Sequence, residues 1–121
     1  MDMISLVLIL LVAILHFYFL YLEMFAFTKA KTLKTFGISK EKAEASKEVA
    51  ANQGLYNGFM AAGLIWSVLY PSTTIGYQIA LFFLSCIVIA AIYGAVTVTK
   101  KILFVQGFPA VLGLIAILVN I

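Results

Sequence analysis

His16 and Glu23 are the two residues hardest to reconcile with their surroundings. They lie seven residues apart inside an apolar run from Met3 to Phe27. On an α-helix that spacing puts both on one face, separated by about 10.5 Å of rise. A direct hydrogen bond cannot cross that gap, so water or a residue from another helix would have to link them. An imidazole and a carboxyl so placed could do acid/base work or anchor a charged ligand. In apolar surroundings the carboxyl must be protonated and hydrogen-bonded, or paired with a cation. A second polar group follows in Asn52-Gln53-Gly54-Leu55-Tyr56-Asn57-Gly58. Gln53 and Asn57 share a helix face at i,i+4, as do Asn52 and Tyr56. Tyr93 and Gln106 complete the set. Pro109, one turn beyond Gln106, has no N–H and leaves the Val105 carbonyl without its helical donor.

Helices crossing a bilayer are the elements that would position these groups. Of the 121 residues, 64% are hydrophobic and 11% charged, too few to cover a soluble surface. Four spans are expected, at about residues 3–27, 50–70, 75–98 and 102–121, making one domain of 1–121. The first span lacks a basic leader and a small-residue cleavage site, so it reads as retained rather than as a signal peptide. A basic hairpin over 29–49 holds six lysines and three glutamates. Within it Gly37 reads as a helix stop and Ser39 as the next N-cap, with Lys40 and Glu44 paired at i,i+4. Residues 39–49 should run as helix into the second span. After Pro71, Thr73 or Thr74 is expected to cap the third.

The lysines set the orientation. Six lie between spans one and two, and Lys100 and Lys101 lie between three and four. The positive-inside rule puts both loops in the cytoplasm, giving an all-α transmembrane four-helix bundle, N-out and C-out. Glu23, Asn52, Gln53, Tyr56, Asn57, Tyr93 and Gln106 then fall in the cytoplasmic half of the membrane, with His16 near the midplane. This depth coincidence predicts a polar pocket open to the cytoplasm and closed outward by apolar stretches such as Leu6–Leu15. The amides could equally be interhelical contacts, each worth about 0.6 kcal/mol. The Gly54/Gly58/Ala62 stripe permits close helix packing, and through it a homo-oligomer. With no arginine, no nucleic-acid role is expected. One histidine, one cysteine and no ligand spacing predict neither a metal site nor a cofactor.

The motifs Tyr21-Leu22-Glu23-Met24, Asn52 to Phe59, Ala61-Ala62-Gly63-Leu64, Tyr93-Gly94 and Val105-Gln106-Gly107-x-Pro109-Ala110, with His16, carry a family resemblance. Over essentially its whole length the chain resembles the bacterial membrane family catalogued as domain-of-unknown-function family 1304. The resemblance implies a small four-helix, multi-pass inner-membrane protein and carries no catalytic residue. The residues themselves leave three functions open. The first is binding or transport of a small polar or amphipathic molecule at Glu23, His16, Asn52, Gln53, Tyr56, Asn57, Tyr93 and Gln106. The second is acid/base chemistry on a lipid-soluble substrate, and the third an accessory structural subunit.

Overall fold

A computed structural model describes residues 1–120. These residues form five α-helices and one π-helical turn, without strands. The helices are α1 (Met3–Phe25), α2 (Ala30–Phe36), α3 (Lys40–Leu69), α4 (Thr73–Thr97) and α5 (Phe108–Asn120). The π-turn spans Leu103–Gly107. Three stretches are long and apolar enough to cross a membrane: Met3–Phe25, Thr73–Thr97 and Leu103–Asn120. The all-helical expectation therefore holds, and the helix count differs from the expected four.

Two local causes account for the difference. The basic hairpin contains a helix of its own, α2, ended by Gly37 at φ 68°. The N–H groups of Gly37 and Ile38 both reach the Leu33 carbonyl, at 2.8 and 3.1 Å. That left-handed stop suits glycine best, because a Cβ would crowd the following carbonyl. The last segment is not one continuous α-helix. Pro109 cannot supply the donor that Val105 would use, and the residues just before it widen into the π-turn.

The caps are equally local. Ser39 Oγ accepts from the Lys42 N–H at 3.1 Å, and α3 then runs unbroken for 30 residues. Ser72, rather than Thr73 or Thr74, caps α4, its Oγ accepting from the Ile75 N–H at 3.4 Å. The following turn accommodates Thr73 and Thr74 as helical residues. Glu44 pairs with Lys47 at 3.4 Å, one turn on, instead of with Lys40. Both side chains are about half exposed, so the pair contributes little.

Chain contacts divide the protein into two compact units. One joins Met1–Leu15 to the chain from Met60 onward; the other is His16–Phe59. The first holds the apolar core, built from Ile9, Val12 and Ala13 of α1, Leu64 of α3, Ala80, Leu84 and Ile87 of α4, and Ala110 and Ile117 of α5. Here α4 packs along both the π-turn and α5. Large apolar side chains such as Ile14, Phe82, Ile89 and Leu118 point outward. Exposed apolar surface on every long helix fits lipid contact rather than water.

Candidate functional site

The unit His16–Phe59 contains the second half of α1, all of α2 and the polar first half of α3. On α3, Ala43, Ala50, Gly54, Asn57 and Gly58 are buried, a spacing that marks one helix face. Gly54 and Gly58 let α1 approach that face closely. A Cβ on Gly54 would stand 2.9 Å from both Glu23 Cβ and Met24 Cγ, and one on Gly58 would stand 2.5 Å from Leu20 Cδ1. The glycine pair is thus packed against α1 of the same chain, while Ala62 is exposed.

This close approach brings Glu23 to Asn57. The Asn57 Nδ2 donates to Glu23 Oε1 at 2.5 Å, with Asn57 only 6% exposed. A neutral amide fixes the direction of the carboxyl without balancing its charge. Among the described residues no lysine pairs with Glu23; the ion pair present, Lys47–Glu44, lies on the exposed side of α3. His16 is fully buried, on the same face of α1 two turns before Glu23, with Phe19 edge-on at 5.4 Å.

The other sequence-predicted residues are placed differently. Asn52, Gln53 and Tyr56 belong to the same unit and are exposed. Gln53 therefore does not share the buried face of Asn57, although the two are four residues apart. Tyr93 and Gln106 belong to the other unit. Tyr93 is 70% exposed on α4, and Gln106 is half-buried in the π-turn. Among the described residues, no three His, Cys, Asp or Glu side chains come together as metal ligands.

One polar cluster escaped sequence reasoning. Asp2 caps α1, its Oδ1 accepting from the Ser5 N–H at 2.9 Å. The Tyr77 hydroxyl donates to Asp2 Oδ2 at 2.7 Å and accepts from the Asp2 N–H at 2.9 Å. The Ser5 backbone N–H and the Tyr77 hydroxyl hold the Asp2 carboxyl below the usual carboxylate range, at about 2. An aspartate directly before an apolar run is an N-cap signal, and it could have been read as one.

Residues 10–118 match the family described as "Protein of unknown function (DUF1304)". The chain belongs to this family. The matched stretch contains all eight candidate residues and leaves out Asp2 and Ser5. A relative, "Uncharacterized protein YpaA" of Lactococcus lactis subsp. lactis (strain IL1403), is 38% identical over 118 residues. The match covers 96% of this chain and 98% of that protein. No solved structure matches.

Proposed function

We propose that this family member is a multi-pass membrane protein that binds a small polar or amphipathic molecule bearing a cationic group, with Glu23 as charge anchor. The supporting observation is the Glu23–Asn57 pair. Its carboxyl is oriented by an amide and faces no cation among the described side chains. A carboxyl at membrane depth calls for a proton or a positive partner, and a ligand amine can supply either. Tyr93 and Gln106 are not part of this proposed site.

In the proposed arrangement α3 crosses the bilayer together with the three more apolar spans. Trp66 and Tyr70 near its end, with rings 6.2 Å apart, suit a membrane–water interface. The lysines of 29–47 and Lys100–Lys101 face the cytoplasm, which puts both termini outside and opens the Glu23 site inward.

A thermal-shift screen of purified protein against a panel of amines and quaternary ammonium amphiphiles tests the reading. A ligand at about a hundred times its Kd stabilises the folded state by about 2.7 kcal/mol. Glu23→Gln keeps an oxygen for Asn57 and should melt near wild type, yet lose that stabilisation. Asn57→Ala should weaken binding. A ligand that stabilises Glu23→Gln as strongly as wild type, or a panel that never shifts wild type, would sink the proposal.

A further inference from the structure

Lys31 and Lys34 lie one turn apart on α2, and Lys29 immediately precedes the helix; all three are exposed. The opposite side of α2 is fixed to its own unit. Thr32 is buried, and the Phe36 ring meets Phe27 at 6.0 Å. One side of this short helix is therefore occupied and the other is a row of ammonium groups.

The charge on that row is not balanced locally. Residues 28–39 contain three lysines and no acidic residue. Acids begin only at Glu41, on α3, where Glu44 is already engaged by Lys47. Among the described residues none of the three α2-region lysines pairs with a carboxylate. The position is equally specific. The apolar α1 ends at Phe25, itself 69% exposed, and only four residues separate it from α2. So short a connection keeps α2 at the level where a membrane's apolar interior gives way to its headgroups.

From this juxtaposition we infer that the Lys29/Lys31/Lys34 face binds the phosphate-bearing headgroups of anionic lipids in the adjoining leaflet. Strongly hydrated, flexible ammonium groups suit phosphate as point charges and need no planar fork. Each lysine near a charged membrane surface contributes about a fivefold preference. Electrostatic screening limits the effect to a distance of about 10 Å at 0.1 M salt. The inference is independent of what Glu23 binds.

Native mass spectrometry of the full-length protein, offered equal amounts of phosphatidylglycerol and phosphatidylcholine, reads the preference directly. Wild type should retain phosphatidylglycerol over phosphatidylcholine, and raised salt should erode the bias. The K29Q/K31Q/K34Q variant should lose at least tenfold of it, K29R/K31R/K34R should keep it, and K100Q/K101Q should leave it unchanged. If the glutamine variant folds poorly, the wild-type preference and its salt dependence still decide. Equal retention of both lipids by wild type overturns the inference. Displacement of the lipid by inorganic phosphate would mean a free-anion site and would overturn it too.

Discussion

Gly54→Ala tests whether the glycine face of α3 is what holds Glu23 against Asn57. The new Cβ would stand 2.9 Å from Glu23 Cβ and Met24 Cγ, and 3.3 Å from the Leu20 carbonyl oxygen. Carbon atoms rest at about 3.5–4.0 Å, so α1 must give by roughly 0.6–1 Å. Met24 Cγ can swing aside. Glu23 Cβ and the Leu20 carbonyl are tied to the backbone and cannot. Overpacking of this kind costs about 1–3 kcal/mol, offset by about 1 kcal/mol from alanine's better helix propensity. The net expectation is a loss of about 1 kcal/mol, a fall of roughly 3–5 °C in melting temperature. Gly58→Ala meets only the Leu20 side chain, closely at its flexible Cδ1 tip, and should cost less. Thermal unfolding followed by circular dichroism in detergent gives both values. A Gly54→Ala protein as stable as wild type, or a larger loss at Gly58, would refute the packing argument.

The Asp2 cap makes a pH prediction. Its carboxyl is lowered from 3.8 to about 2 in the folded protein, so its stabilisation is complete above pH 3.8 and is lost as pH falls through about 2. Melting temperatures taken from about pH 5 to about pH 2 should fall more steeply for wild type than for Asp2→Asn. Tyr77→Phe should shrink the acid-sensitive component and move it towards pH 3.8; identical profiles for all three proteins would count against the cap. Pro109→Ala restores a donor for the Val105 carbonyl and should tighten the π-turn at Leu103–Gly107 into α-helix. Amide hydrogen exchange by NMR should then show greater protection across 103–109, whereas unchanged protection would mean that proline does not cause the turn.

Much of the fold was legible because its signals are local. Gly37 and Ser39 act through their own backbone neighbours, and the apolar runs fix where the long helices lie. Only the Gly37 stop signalled α2, which sits among lysines, where no apolar period long enough to mark a helix can develop. Helix rotation was the harder problem. In a chain whose interior and exterior are both apolar, hydrophobicity does not say which side of α4 faces inward, and Tyr93 proved to be exposed. The depth argument grouped eight polar residues, but depth is one coordinate only. The second coordinate was written in the small residues: Ala50, Gly54 and Gly58 mark the face that α1 meets, and Asn57 lies on it while Gln53 does not. The Glu23–Asn57 contact could thus have been singled out by asking which amide shares a face with the glycines.

The unbroken length of α3 carries a mechanical consequence. Thirty residues make a rod of about 45 Å. Its charged tip begins at Lys40, and about 25 Å along the same rod stands Asn57. A rod has no joint at which motion can be absorbed. Any turn of the tip about the rod's axis therefore turns the Asn57 amide with it, and the tip becomes a handle on the half-buried Glu23 carboxyl.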